Sequence, residues 1–114
     1  MVGYISEHAA YHHGEASLTM IIVNLAQDYI GSNNMNLLLP NGRYGTRDQG
    51  GKDHASARYI HTEPAPISHC VFHPNDDALL NPQKEDGQLI EPEFYMPIIP
   101  LVLVNGAEGI GTGK

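Results

Sequence analysis

In "YHHGEASLTMIIVNLAQDYIG", residues 11–31, a pair of histidines leads into a periodic apolar run closed by a glycine. From Glu15 to Tyr29 the apolar residues Leu18, Ile21, Ile22, Leu25 and Tyr29 recur at spacings of three and four, which predicts one buried face of a helix. Gly31 is the expected stop, because only glycine enters a left-handed closing turn without strain. The start falls near His12 to Gly14, so the histidine pair stands at or just before the open first turn. Backbone N–H groups without helical partners point outward there and favour an anion.

Downstream, "NNMNLLLPNGRYGTRDQGGKDH" sets short apolar pieces between Asn-Gly, Tyr-Gly and Gly-Gly turn signals, which predicts a hairpin or wing with a long tip. A helix followed by a wing is, in outline, a DNA-reading arrangement. "HASARYIHTE", residues 54–63, then places Arg58 beside Tyr59 before a zone broken by Pro64, Pro66 and Pro74. "NPQKEDGQLIEPEF" predicts a tight turn at Asp86-Gly87. "YMPIIPLVLVNGAEGIGTG" offers a buried strand over Leu101 to Val104, an Asn-Gly turn and a loop with glycines at 106, 109, 111 and 113.

With 114 residues the chain holds one small domain or part of a larger one, and 41% apolar content is ordinary for a globular core. Met1 followed at once by "VGYISEHAA" reads as a start set inside a larger domain, without a secretory signal. The single Cys70 excludes an internal disulfide framework. No apolar run approaches the roughly 20 residues that span a bilayer, so no membrane partner is expected. The net charge of −7 taken alone argues against nucleic acid. It is unevenly spread, however: residues 61–114 carry eight acids against Lys84 and Lys114, whereas Arg43, Arg47, Lys52 and Arg58 all fall within residues 43–58. That cluster is either a solvated loop or a phosphate-facing patch.

Two motifs fail on inspection. "GIGTGK" lacks the earlier glycine of a phosphate-binding loop, where Glu108 stands, and lacks the Ser or Thr after the lysine. His69, Cys70 and His73 lie next to Pro74 without paired cysteines, a poor basis for tetrahedral zinc. The chemistry left over is Arg58-Tyr59 and the histidine pair. A tyrosine is a weak nucleophile at neutral pH and needs a base or a positive field to attack phosphorus, and a planar arginine fork suits the phosphate oxygens. From the residues alone, Tyr59 reads more readily as a core or wing aromatic, and His12 and His13 as helix caps or partners of Glu15.

The stretch from Ala10 to Ile60, together with "EPEFYMPIIPLVLVNGAEGIGTG", resembles the breakage-reunion core of the type IIA DNA topoisomerases over nearly the entire chain. "YHHGE" at 11–15 and "GSNN" at 31–34 resemble the eukaryotic or large-DNA-virus branch, because the bacterial branch reads more like His-Pro-His-Gly-Asp. The resemblance implies an α+β fold: a winged-helix region over residues 1–62, truncated on its N-terminal side, leading into the start of the tower domain over residues 63–114. It implies that Tyr59 takes a DNA phosphate as a 5′-phosphotyrosine, that Arg58 stabilises that phosphate, and that His12 and His13 orient it and assist proton handling. Arg43, Arg47 and Lys52 become phosphate contacts along the wing, and Ile110 the wedge that enters the base stack and bends the DNA.

The implied whole is an ATP- and Mg2+-dependent homodimer acting on double-stranded DNA in the nucleus, or in host cytoplasm or virion if viral. Both cofactors would be bound outside this chain, since the ATPase domain and the TOPRIM acids have no counterpart here; "EDG" at 85–87 does not make such a site. The isolated chain is expected to be inactive. The sequence departs from the family at 63–76, where prolines and histidines interrupt the apolar pattern, and at Lys114, where tryptophan is usual. A non-catalytic winged-helix DNA-binding module, with Tyr59 structural, is the alternative.

Overall fold

A computed structural model describes residues 14–113. Helix α1 runs Glu15–Ala26, followed by two short 3-10 turns at Arg47–Gln49 and Ala57–Tyr59. Helix α2 is Pro66–Val71, a third 3-10 segment covers Pro74–Leu79, strands β1 and β2 are Pro82–Glu85 and Gln88–Pro92, and α3 is the single turn Leu101–Asn105. The architecture is α+β, as the sequence predicts.

Helix α1 begins where expected, with Gly14 as its N-cap, but ends at Ala26 rather than Tyr29. The cause lies in Gln27. Its N–H still bonds the Val23 carbonyl at 3.0 Å, yet its backbone is already extended. Its buried side-chain amide donates instead to the carbonyls of Tyr44 at 2.9 Å and Gly51 at 3.1 Å, tying helix end to wing. Asn33 then closes the helix, its amide donating to the carbonyls of Asn24 (2.5 Å) and Gln27 (3.0 Å), groups left without helical partners. Gly31 does take a positive φ of 98°, inside the turn that follows.

The buried face is also rotated from the expected one. Leu18, Ile22, Val23 and Ala26 are buried, while Ile21 and Leu25 are exposed and Tyr29 is only partly covered. The small Ala26 and the branched Val23 allow Tyr44 to close over the helix, and Leu38 and Ile60 pack against that cluster. Fully burying a side chain such as that of Val23 stabilises by about 1.5–3 kcal/mol.

Residues 33–54 form no continuous hairpin, contrary to expectation. Isolated antiparallel bridges join Leu38 to Pro64 and Asn41 to His61, so the two legs meet only at their bases. The tip between them curls back on itself. Glycine content explains this: Gly45, Gly50 and Gly51 all have positive φ, which bends the chain too sharply for a ladder. The base is reinforced by bonds from Leu39 N–H to the Glu63 carbonyl and from Ala65 N–H to the Leu37 carbonyl, each 2.9 Å.

The Asp86-Gly87 turn forms as predicted. Both residues have positive φ, 50° and 78°, the two-residue geometry that matches the twist of a hairpin. It joins β1 to β2 with Lys84 opposite Leu89, and an irregularity lies between Pro82 and Lys84.

The predicted buried strand at Leu101 to Val104 is instead the helical turn α3, with none of its residues buried. Pro100 caps its start, and the Leu103 N–H bonds the Pro100 carbonyl at 2.9 Å. A short apolar run is ambiguous between strand and helix; among the described residues the one sheet is the β1–β2 pair, which this run does not join, and Leu103 is 81% exposed. This return leg is held by the Ile98 N–H on the Val71 carbonyl at 2.8 Å and by an edge-to-face contact of Phe72 with Tyr95, centroids 6.0 Å apart.

Candidate nucleic-acid interface

Tyr59 ends the 3-10 turn Ala57–Tyr59, its N–H bonded to the Ser56 carbonyl at 2.9 Å and its side chain 67% exposed. The Arg58 guanidinium carbon stands 5.1 Å from the Tyr59 ring centroid, within cation–π range. An aromatic exposed to this degree contributes little to the core, so its position is set by its neighbours. Ile60 is packed on the Val23–Ala26–Tyr44 cluster. The His61 N–H bonds the Asn41 carbonyl at 2.9 Å. The dipeptide is thus presented outward from a fixed base.

Gly42 permits that geometry. At φ 126°, a Cβ there would stand 3.0 Å from the Ile60 Cγ2, 3.3 Å from the Ile60 Cα and 3.4 Å from the Tyr59 carbonyl oxygen. Tyr44 braces the same place from below: it is 4% exposed, and its hydroxyl donates to the His61 carbonyl at 2.6 Å. Burial raises the Tyr44 phenol above its ordinary pKa, an effect partly offset by the neighbouring Thr62 hydroxyl. That hydroxyl oxygen is itself buried without a well-formed hydrogen bond.

Arg43, Arg47 and Lys52 all lie on the curled tip and are exposed. They are not equivalent. The Arg43 Nη2 bonds Asp53 Oδ2 at 3.0 Å, while Thr46 donates to the same carboxylate from its N–H (2.8 Å) and its hydroxyl (2.9 Å). The Thr46 backbone bond, followed by the Arg43 and Thr46 side chains, holds the Asp53 carboxyl at about 2, below its ordinary 3.8. Asp53 therefore organises the tip and occupies one face of Arg43. Arg47 opens the first 3-10 turn, and Lys52 follows Gly51, whose backbone Gln27 grips. His54, Lys52 and Gly50 border an open groove along α1 with Met20 and Asn24.

Ile110 lies outside regular structure, five residues after α3. No helix or strand covers residues 106–113, and the Ile110 side chain is fully exposed. His12 and His13 lie outside the described residues. Among the described residues, no group of three or more His, Cys, Asp or Glu is placed to hold a metal ion. His69 and Cys70 are on α2, whereas His73 caps the following 3-10 segment, its Nδ1 accepting from the Asn75 N–H at 3.2 Å. No described helix is long and apolar enough to cross a membrane.

Sequence reasoning missed Gln27, Tyr44 and Asp53, whose hydrogen bonds brace the wing that carries Arg58-Tyr59. The Asn41-Gly42 and Asn105-Gly106 pairs were legible as chain breaks, and both glycines take a positive φ. Their partners were not, because a polar side chain that bonds a distant backbone leaves no periodic trace.

The family model for the A-subunit of DNA gyrase/topoisomerase IV matches residues 1–114. The DNA topoisomerase 2 of Pisum sativum is 66% identical over 112 residues, 98% of this chain and 8% of the relative. That of Bombyx mori is 63% identical over 113 residues, 99% of this chain and 7% of the relative. Among solved structures, the Plasmodium falciparum topoisomerase II DNA-binding, cleavage and re-ligation domain is similar at TM-score 0.91 and 55% identity, over 99% of this chain and 16% of that one. The chain thus spans under a tenth of the length of these curated relatives. With the family match running from Met1 to Lys114 and these relatives all carrying the topoisomerase II name, the chain belongs to the DNA gyrase/topoisomerase IV A-subunit family, as a segment of a type IIA breakage-reunion core.

Proposed function

We propose that this chain is the tyrosine-bearing part of an ATP-dependent type II DNA topoisomerase, which cleaves both strands of duplex DNA and rejoins them. The observation that carries the reading is an exposed Tyr59 presented from a braced turn with Arg58 against its ring. In each strand the Tyr59 Oη attacks a backbone phosphorus, the bond from phosphorus to the 3′ oxygen breaks, and the phenolic proton is given up. The enzyme becomes a 5′-phosphotyrosine, and the leaving oxygen takes a proton to become a 3′-hydroxyl. Because one phosphoester replaces another, religation is the same exchange reversed. Arg58 supplies fixed positive charge for the phosphate oxygens. His12 and His13 are assigned to phosphate orientation and proton handling.

Arg47 and Lys52 are the phosphate contacts of the tip, with Arg43 contributing through the face that Asp53 leaves open. Ile110 is the wedge that enters the base stack. Residues 1–62 act as the winged-helix region and 63–114 as the start of the tower. The complete enzyme is a homodimer acting on nuclear DNA, or on viral DNA in host cytoplasm or virion. Mg2+ and ATP are assigned to other parts of that enzyme, and no step above is routed through either. The isolated segment lacks those parts and is inactive in this reading.

The test is Tyr59→Phe in the full-length enzyme, which removes the nucleophilic oxygen and keeps the ring. Protein-linked DNA ends trapped by denaturant should vanish, while noncovalent binding persists. Covalent complexes that survive the substitution would return Tyr59 to a structural role in a DNA-binding module.

A further inference from the structure

The glycine-rich arm that carries Ile110 is fixed at one point. A single helical turn such as α3 has no stability of its own, since nucleation costs more than its few bonds return, and its residues Val102 and Leu103 are exposed. Its orientation must come from elsewhere. Asn105, the last residue of α3, accepts the Met35 N–H on Oδ1 at 2.8 Å and donates from Nδ2 to the Met35 carbonyl at 3.1 Å. The Met35 N–H can only donate and its carbonyl only accept, so the amide's orientation is determined. One planar amide bonded to both polar groups of one residue fixes rotation as well as position, as the edge of a neighbouring strand would. Asn34 adds a bond from its Nδ2 to the Val104 carbonyl at 2.6 Å. These contacts join residues 70 apart in sequence, and they seat α3 on the loop that follows α1.

Immediately afterwards Gly106, at φ 78°, turns the chain away, and a Cβ built at Gly106, Gly109, Gly111 or Gly113 meets nothing within 4 Å. Ile110 follows five residues after the amide, a reach of up to about 17 Å. A rotation of about 10° at the base would move such a tip by about 3 Å, close to the separation of stacked base pairs. A wedge displaced by that amount meets a base edge rather than a gap.

We propose that Asn105 is the positioning residue of this arm: by docking on Met35 it sets the place and angle at which Ile110 meets the duplex. The proposal rests on the reading of Ile110 as the stacking wedge.

The test uses the full-length enzyme, a short gate duplex with dyes at its two ends to report bending, and yields of covalent complex. Asn105→Ala should lower both the bent fraction and the covalent yield by about tenfold, with DNA affinity at fixed salt little changed. Asn105→Asp keeps the acceptor for the Met35 N–H but sets a carboxylate oxygen against the Met35 carbonyl, so it should fall at least as far as Asn105→Ala. The Asn105→Ala, Ile110→Ala double variant should bend DNA no worse than Ile110→Ala alone, because both act through one side chain. Unchanged hydrogen exchange over residues 15–26 would show that the fold is kept; should Asn105→Ala disturb it, the near-isosteric Asn105→Asp decides by the same bend measurement. Additive losses in the double variant, or normal bending by the Asn105 variants where Ile110→Ala is impaired, would overturn the docking role alone. Normal bending by Ile110→Ala would remove the wedge reading, and this proposal with it.

Discussion

The curled tip of residues 43–55 and the arm of residues 106–113 are both glycine-rich, yet they are built in opposite ways. In the tip, glycines permit contact: a Cβ on Gly45 would stand 2.6 Å from the Gly51 carbonyl oxygen, and one on Gly51 would stand 2.6 Å from both the Gln27 amide nitrogen and the Tyr29 hydroxyl. In the arm, glycines border open space. The tip converts glycine's lack of a side chain into close packing and a fixed base for Arg58-Tyr59. The arm projects from α3, which Asn34 and Asn105 seat on the loop after α1. This contrast follows the chemistry assigned to each, since transesterification needs a nucleophile held in line, whereas a wedge needs a fully projecting side chain and a base that sets its direction.

The sharpest way to break the comparison is Gly45→Ala. Its Cβ would meet three backbone atoms of Gly51, at 2.6, 2.8 and 2.9 Å, from a φ of 107° that an alanine rarely adopts. No side chain can move aside to relieve that. A cost of about 3 kcal/mol is expected, read as lost hydrogen-exchange protection at the Gly51 and Ala55 amides, which bond Thr46 and Arg43 across the tip. Cleavage should fall with it. Wild-type protection in this variant would mean that the tip is as loose as the arm.

A smaller effect is expected from acid. The Asp53 carboxyl sits at about 2 in the folded chain, below its ordinary 3.8. A depressed value means that the fold favours the ionised form, so its contribution is complete above about 4 and is lost as pH falls towards 2. Asp53→Asn removes the charge and should lower tip protection by a constant factor from pH 8 to pH 5. The gap to the wild-type protein should close between about pH 4 and pH 2. A gap that closes near pH 6 would point to a histidine rather than Asp53.

The smallest effect belongs to Gly109→Ala. The position has open space around it and no positive φ, so stability should change by no more than about 0.5 kcal/mol, with exchange unaltered throughout residues 15–65. A marked loss of protection there would show that the arm packs on the body of the protein, and the contrast with the tip would fail.

Local features could be read along the chain. Helix α1 was legible from its periodic apolar residues, the hairpin turn from Asp86-Gly87, and the glycine-rich arm from its composition. Arg58, Tyr59 and the histidine pair were singled out through family resemblance, since one tyrosine among six has no periodic signature. Tertiary packing set where α1 stops, because that depends on Gln27 being drawn to Tyr44 and Gly51. It alone made Leu101 to Val104 helical, since a strand requires an edge to pair with. It alone divided the basic residues into Arg43, engaged by Asp53, and Arg47 and Lys52 on open surface. Periodicity records which side chains share a face; a hydrogen bond from a side chain to a backbone 17, 24 or 70 residues away is settled only when the chain has folded.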